Sequence, residues 1–469
     1  MTTITMKFGG TSVGSPAAIR NLTQIVQEAH ATGNRLVVVV SAMSGVTDML
    51  INSIHMAASS DRWGYLSISQ KLRDKHEDAL NQLLPPGEAR ERVVLKINKL
   101  IDEYQELCNA INILGEVTPR MMDAVVSFGE RMSCRMVAAV LRQHGLPAEA
   151  YDASEFLLTD DHYQNAQPLW EETERRIQAR LLPILDEGRI PIITGFIGAT
   201  QQGVFTTLGR GGSDFSAAIF AAYVDSDEFI IWTDVDGVMT TDPRVDKRAR
   251  VLPQISYVEV GELAYYGAKV LHPKTVQPII SRKIPIRVRN TFNPQHPGTL
   301  ITDEMLPSAS IIKAVTSVRN VSLLTVSGKG MIGVPGIAGR TFLATANAGA
   351  NILMISQSSS EQSFCFTVMD NKAGDVKAAV ESELQSEIAR QNVDGVDIKS
   401  DVVIVTVVGA GMRGTPGVAG RVFTTMGNGG VNILAIAQGS SECSISFIVG
   451  EADLEQATLL LHNLALGEE

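Results

Sequence analysis

Three times within the first 214 residues an apolar run stops at glycine and small polar residues, and a helical pattern begins. The first instance is Thr2–Val13, where Ile4, Met6 and Phe8 alternate with Thr3, Thr5 and Lys7 up to Gly9-Gly10. Alternation at period two marks a strand, and the glycine pair ends it. Thr11 or Ser12 is then placed to cap a helix starting at Pro16. The second instance joins the run Leu36–Val40 to Ser41-Ala-Met-Ser-Gly-Val-Thr47-Asp48. The third joins Val204-Phe-Thr-Thr-Leu to Gly209-Arg210-Gly211-Gly212-Ser213-Asp214, ahead of a helix expected over Phe215–Ala222. Strand, glycine turn and helix in repetition read as a mostly parallel sheet covered on both faces.

Such turns carry backbone N–H groups without an intervening Cβ to a helix N-terminus, a place that suits an anion. For Gly9-Gly10 two readings stay open. One is a tight turn with Lys7 an ordinary strand residue; the other is a phosphate cradle that Lys7 also reaches. The turn at 41–48 is open in the same way. The stretch 209–214 argues harder for an anion, because an arginine, a hydroxyl and a carboxylate crowd among three glycines. Each turn falls at the carboxyl end of a strand, where ligands gather in sheets of this kind.

At 469 residues the chain exceeds a single core, so two to four domains are expected. Its 45% hydrophobic and 19% charged content is that of a globular protein. A net charge of −11 argues against nucleic acid or an anionic membrane as partner. No apolar run has the length of a membrane span, and the N-terminus lacks a basic-then-apolar secretion signal. Cys108, Cys134, Cys365 and Cys443 have no metal-like spacing, nor do the eight histidines, so free thiols in a reducing cytoplasm are expected.

Between the turns, Thr47 to Gly115 is largely helical with a break at Pro85-Pro86-Gly87, a block expected to cover the sheet or bridge subunits. Glu130 and Arg131 follow Gly129 in an apolar stretch, and an ion pair, surface charge or a ligand site would each explain them. Leu146–Tyr151, Pro191–Gly195, Glu228–Trp232 and Lys283–Asn290 read as further strands, and Glu171 to Leu185 as an amphipathic helix. Thr302–Ser310 reads as a linker.

Beyond that linker the chain repeats itself at a constant offset of 81 residues. Val334–Arg340 matches Thr415–Arg421, Asn351–Gln357 matches Asn432–Gln438, and Ser359–Glu361 matches Ser440–Glu442. Each copy reads strand, helix, strand, strand, helix. The second copy has no closing strand, and Ile311–Val318 has no local partner. This strand is expected to complete the second module, making the first an insertion within it.

Taken together, KFGGTSVG at 7–14, SAMSGVTD, SFGER, TTLGRGGSD, WTDVDGV, TTDPR, GAKVLHP and the tandem modules resemble aspartate kinase over nearly the whole chain. The resemblance is to the monofunctional form with paired ACT domains. It implies an α/β fold: an amino-acid-kinase-type three-layer αβα domain over 1–304 and two βαββαβ ACT modules. These would be 311–318 with 401–469, and an inserted 319–400. The implied reaction moves the γ-phosphate of ATP to the side-chain carboxylate of L-aspartate, with Mg²⁺ bridging phosphate oxygens.

By the same resemblance, Lys7, Gly9, Gly10 and Asp214 form the phosphoryl clamp. Ser41, Thr47, Glu130, Arg210, Gly211, Gly212 and Ser213 match aspartate positions. Lys7, Gly10, Thr233, Asp234, Met239, Arg244, Lys269 and Val270 match nucleotide positions. Met239 stands where many relatives carry tyrosine, which removes any contact made by that hydroxyl. Asn351, Gln357, Asn432 and Gln438 match effector positions, with threonine favoured over lysine as feedback inhibitor; a module–module interface is the alternative for these four. A homodimer joined through the ACT modules is implied. A glutamate or acetylglutamate kinase on the same fold is disfavoured by SFGER, the helical block and the tandem modules. A silent amino-acid sensor is disfavoured by intact Lys7, Glu130, Arg210 and Lys269.

Overall fold

The computed structural model describes residues 1–267, 271, 273–305, 311–357 and 362–467. It divides into two compact units, Met1–Val238 with Val270–Asp303, and Met239–Lys269 with Glu304–Glu469. Elements are numbered along the chain.

In the first unit the strands are β1 (Thr3–Phe8), β2 (Arg35–Val40), β3 (Ala148–Tyr151), β4 (Ile190–Thr194), β5 (Ile197–Ala199), β6 (Phe205–Thr207), β7 (Glu228–Thr233), β9 (Ile286–Asn290) and β10 (Thr299–Thr302). Seven of them line up as β3-β4-β2-β1-β7-β9-β10. All the pairings are parallel except β9 with β10. β5 and β6 form a separate antiparallel hairpin. The β-branched run in β2 is buried from Leu36 to Val40, as a strand covered on both faces must be. β1 lies between β2 and β7, with Lys7 level with Val39 on one side and Ile231 on the other.

The helices are α1 (Pro16–Ala31), α2 (Val46–Ala58), α3 (Arg62–Leu83), α4 (Glu88–Leu114), α5 (Pro119–Gln143), α6 (Trp170–Arg176), α7 (Leu182–Asp186), α8 (Gly212–Tyr223) and α10 (Pro273–Ile280). The block α2–α4 packs into the same apolar core as the sheet, with Leu72, Tyr104 and Ile97 joining Val38 and Val40. Several local expectations are corrected. Ser15, not Thr11 or Ser12, caps α1, its hydroxyl accepting from Ala18 N at 3.2 Å. Ser15 stands directly before Pro16, while residues 11–13 are taken by a short 3₁₀ turn. The helix expected from Phe215 starts at Gly212, because Gly211 takes a left-handed conformation (φ +74°) and caps it there. The segment 171–185 is not one regular helix: a π-helical turn, Ile177–Leu181, separates α6 from α7.

The second unit holds β8 (Gln254–Ser256), α9 (Tyr257–Tyr265) and the elements of the repeats. The first repeat supplies β11 (Ala314–Ser327), α11 (Ile337–Asn347), β12 (Met354–Gln357), β13 (Ser363–Met369), α12 (Asp370–Glu383) and α13 (Gln385–Ala389). The second supplies β14 (Gly395–Val408), α14 (Val418–Asn428), β15 (Ala435–Gln438), β16 (Ser444–Gly450) and α15 (Leu454–Leu466). All six strands share one antiparallel sheet in the order β12-β13-β11-β14-β16-β15. β11 pairs with β13 through Val321–Ser327, and with the far half of β14 through Ala314–Val318, opposite Ile404–Val408. That half of β14 also pairs with β16. Unusual backbone recurs at the offset of the repeat: Asn320 (φ +57°) with Asp401 (φ +56°), and Gly336 (φ +89°) with Gly417 (φ +86°).

Phe447 on β16 is fully buried beside Val405, Val422 and Leu461. Phe447→Ala should destabilise the protein by about 3–5 kcal/mol through lost transfer energy and a residual cavity. Calorimetry reads this as a lowered unfolding midpoint, and an unchanged midpoint would contradict the packing described.

Candidate active site

The ends of β1 and β2, the segment after β4, the middle of α5 and the start of α8 enclose a cavity of about 550 Å³ in the first unit. Two helices open onto it. Gly45 (φ +77°) caps α2 and Gly211 caps α8, each left-handed and without a side-chain hydrogen bond. The first-turn N–H groups of both helices therefore have no intrahelical acceptor and favour negative charge. Gly10 is needed for a different reason. Its φ is −57°, but a Cβ there would stand 3.3 Å from the Ala42 carbonyl oxygen, so glycine lets the first turn lie against the second.

Lys7, one residue from the end of β1, places Nζ 2.6 Å from Asp214 Oδ1 in the first turn of α8. This pair is largely shielded from water and joins the centre of the sheet to the glycine-rich turn. Ser41, Thr47, Glu130, Arg210, Gly211, Gly212 and Ser213 line the same cavity with Lys7, Gly10 and Asp214. Gly9 is adjacent, with its N–H on the Trp232 carbonyl at 3.2 Å. Arg210 is exposed at the rim, and no ion pair of its guanidinium is found among the described residues.

Glu130 is the unusual member. It is 3% exposed, its Oε1 accepts from Ala42 N at 3.3 Å, and its Oε2 has no partner among the described residues. Burial raises its carboxyl to about 8. A carboxyl group so placed takes up either a proton or a cation. Arg131 next to it turns elsewhere, with Nε 3.4 Å from Asp152 Oδ2 and its guanidinium over the rings of Phe128 and Phe205. The adjacent charges thus divide: Arg131 belongs to an ion pair, Glu130 to the cavity.

The remaining expected residues lie apart from this cavity or outside the description. Thr233 ends β7 and its hydroxyl donates to Asp234 Oδ1 at 3.2 Å; neither residue lines the cavity. Met239 bridges Val251, and Arg244 folds back on Asp242, both in the second unit. Lys269 and Val270 lie outside the described residues. In the repeats, Gln357 lines a cavity of about 290 Å³ beside Pro335 and Gly336, and Gln438 lines one of about 320 Å³ beside Pro416 and Gly417. Asn351 and Asn432 are exposed and line neither. Among the described residues no cluster of three or more His, Cys, Asp or Glu is placed to hold a metal ion, and no helix is long and apolar enough to cross a membrane.

Residues 2–290 match the amino acid kinase family, and residues 324–384 and 405–464 match the ACT domain. The chain belongs to the aspartokinase family. It is 33% identical to aspartokinase 1 of Arabidopsis thaliana over 470 residues, 98% of this chain and 79% of that protein. It is 38% identical over 463 residues to the bifunctional aspartokinase/homoserine dehydrogenase 1 of the same plant, 97% of this chain. The chain spans about half the length of that bifunctional protein and of the similar bifunctional relatives it matches. The structure of E. coli aspartokinase III with aspartate and ADP superposes with a TM-score of 0.82 at 30% identity, covering 99% of this chain and 100% of that one. The same enzyme with lysine and aspartate gives 0.79 at 29%, covering 98% and 99%.

Two residues of this aspartokinase-family site had no sequence signal of their own. Asp123, fully buried on α5, accepts from Thr207 N and Thr207 Oγ1 at 2.8 Å and from Gln164 N at 2.9 Å, and so fixes the strand that enters the 209–214 turn. Phe196 lines the cavity with φ +68°, a strained conformation for a bulky residue.

Because the folded Glu130 carboxyl sits near 8 against an ordinary 4.5, the folded state is favoured while the group is protonated. That stabilisation is full below about 4.5 and is lost as pH rises through about 8. Glu130→Gln should therefore match the unliganded wild type at pH 4 and exceed it at pH 8.5, by on the order of 3–5 kcal/mol. Denaturant unfolding at the two pH values checks this. A difference independent of pH would rule out the buried-carboxyl assignment.

Proposed function

We propose that this chain transfers the γ-phosphoryl group of ATP to the side-chain carboxylate of L-aspartate, giving 4-phospho-L-aspartate. The observation that carries the reading is the buried Glu130, with one oxygen unpartnered among the described residues, in one cavity with the exposed Arg210 and the Lys7–Asp214 pair. A glutamate suits the substrate ammonium, and an arginine suits a bidentate grip on a carboxylate. The acceptor carboxylate is ionised at neutral pH, so the site needs no general base. What it needs is two anions held together and charge stabilised on the group in flight. Lys7 and the backbone at Gly9-Gly10 serve the phosphoryl group, with Asp214 orienting Lys7. Ser41, Thr47 and the Gly211–Ser213 backbone position the aspartate. E. coli aspartokinase III, solved with aspartate and ADP, supports the substrate pair.

The nucleotide is assigned to Thr233, Asp234, Met239, Arg244, Lys269 and Val270 from the family resemblance. Mg²⁺ fits as an ion carried in by the phosphates, since it keeps most of its waters and needs only one or two carboxylates. Modules of 311–318 with 401–469 and an inserted 319–400 are favoured by β11 pairing across both repeats, and the kinase domain is assigned to 1–304 from the family resemblance, although 239–269 groups with the second unit. The cavities at Gln357 and Gln438 are assigned to an inhibitory amino acid, with Asn351 and Asn432 as outlying contacts. Threonine is favoured by the QSSSE and QGSSE endings. Lysine is the runner-up, since E. coli aspartokinase III was solved with it. Matching exposed residues Ile355 and Ile436, on the two edge strands of this sheet, favour a homodimer through these modules. A cytoplasmic location is assigned from the sequence reading alone. The product would open the route to the aspartate-derived amino acids.

Trapping acyl phosphate with hydroxylamine in parallel incubations with aspartate, glutamate and acetylglutamate tests the reaction. Product is expected with aspartate; its absence there would sink the reading. Lys7→Met should lower turnover by at least about a hundredfold while leaving effector binding intact. Adding threonine, lysine or methionine to the same assay identifies the effector, with threonine expected to inhibit. Aspartate binding at pH 7 should also release close to one proton, because the ammonium draws the Glu130 carboxyl into its ionised form. Calorimetry in buffers of different ionisation enthalpy reads that release, and a buffer-independent heat would remove Glu130 from the ammonium site.

A further inference from the structure

One imidazole in the second unit holds both ends of a turn. His462, on α15, is fully buried. Its Nδ1 lies 2.8 Å from Asp246 Oδ2 and its Nε2 lies 2.8 Å from Thr240 Oγ1. Thr240 and Asp246 flank Thr241-Asp242-Pro243-Arg244-Val245, and they lie 222 and 216 residues from the histidine. Asp246 only accepts, so Nδ1 carries the proton towards it. The Thr240 hydroxyl meets Nε2 on one side and accepts from Arg250 N at 3.0 Å on the other.

The surrounding contacts leave the turn little freedom. Arg248 pairs with Asp246 at 2.8 Å and also donates to Asn463 Oδ1 at 2.8 Å, a second tie to α15. Arg248, with His462 next in effect, holds the Asp246 carboxyl well below the usual carboxylate range. Thr240 donates its N–H to the Arg250 carbonyl and accepts from Val315 N on β11. Within the turn, Val245 N and Asp246 N both donate to the Asp242 carbonyl, and Arg244 is exposed at its tip. Such a network is stiff because His462, Thr240, Asp246 and Arg248 are each bonded to another member, while Thr241 Oγ1 in the same turn has no partner among the described residues.

We propose that His462 is a nucleotide-positioning residue: through Thr240 and Asp246 it fixes the turn that presents Arg244 to ATP. The inference rests on the aspartate kinase reading, in which Arg244 meets the nucleotide. It gives the last helix of the chain a part in binding a substrate it never touches. It also makes α15 answerable to the second repeat, because Leu461 and Ala457 share a core with Val418 and Val422 of α14, and α14 opens on the Gln438 cavity.

The test measures binding of a non-hydrolysable ATP analogue with Mg²⁺ by titration calorimetry, together with KM for each substrate. The full-length variants are Thr240→Val, His462→Gln, Arg244→Ala and the Arg244→Ala/His462→Gln pair. Thr240→Val and His462→Gln should each weaken nucleotide binding roughly tenfold, the scale of a lost buried hydrogen bond, and leave KM for aspartate unchanged. In the Arg244→Ala background, His462→Gln should add less than about twofold, because both act through one turn. A folded Thr240→Val that binds nucleotide like wild type overturns the proposal. So does an equal rise in KM for both substrates, or a full additional loss in the double variant. If His462→Gln does not fold, Thr240→Val, which keeps the side-chain shape, decides alone. A wild-type chain that binds no nucleotide sinks the aspartate kinase reading instead.

Discussion

The candidate active site depends on β1 being bonded on both edges and buried on both faces. A strand in that position has no freedom to slide or tilt, because every residue from Ile4 to Phe8 is in register with two neighbours. Lys7 is held at its carboxyl end by backbone pairing, not by its own side chain. Its ammonium nitrogen lies 2.6 Å from Asp214 Oδ1 in a largely dry place. Phe8 and Trp232 stack at 5.9 Å beneath the turn, and Gly9 is tied to the Trp232 carbonyl. The glycine pair is thus held in place, Gly9 by this bond and Gly10 by its close approach to the Ala42 carbonyl.

The same economy governs the negative charges. α5 crosses the sheet with Asp123 and Glu130 both buried. Asp123 is saturated by three donors and serves the architecture. Glu130 is left one oxygen short, and that deficit is what a ligand would fill. Two carboxylates on one helix are distinguished only by how many donors meet them, since both are buried and both are raised by burial. The next residue, Arg131, is rotated by about 100° around the helix and so faces Asp152.

The glycine turns, the order of strands and helices, and the tandem repeat were legible in the sequence because each is written in a local period or a fixed offset. Lys7, Arg210 and Asp214 were legible because unusual residues crowd around glycine. Asp123 was not, because its donors come from residues 164 and 207, and nothing in its own neighbourhood marks it. The same holds for Ser15. Thr11 and Ser12 have the right chemistry for a cap, but they are taken up in a 3₁₀ turn of their own, which leaves the role to the residue directly before the proline. The contrast between Gly10 and Gly211 is of the same kind: both interrupt a strand–helix junction, yet one is required for close approach and the other for its left-handed φ.

The segment 239–269 is where sequence order and compactness part. It falls inside the stretch that matches the kinase family, yet it groups with the repeats that match the ACT domain. The bonds responsible are buried and mutual. Lys313 Nζ lies 3.0 Å from Glu259 Oε1, both residues almost without exposure, and Glu262 accepts from Ser441 and Ser444. Removing either member of the Lys313–Glu259 pair would strand the other charge in the interior, so α9 cannot leave the sheet without a penalty of several kcal/mol. The segment is thus tied by these bonds to the six-stranded sheet of the repeats. Met239 fits the same picture, because its place is set by a backbone bridge to Val251 that does not depend on its side chain. The backbone at this position is held within the second unit.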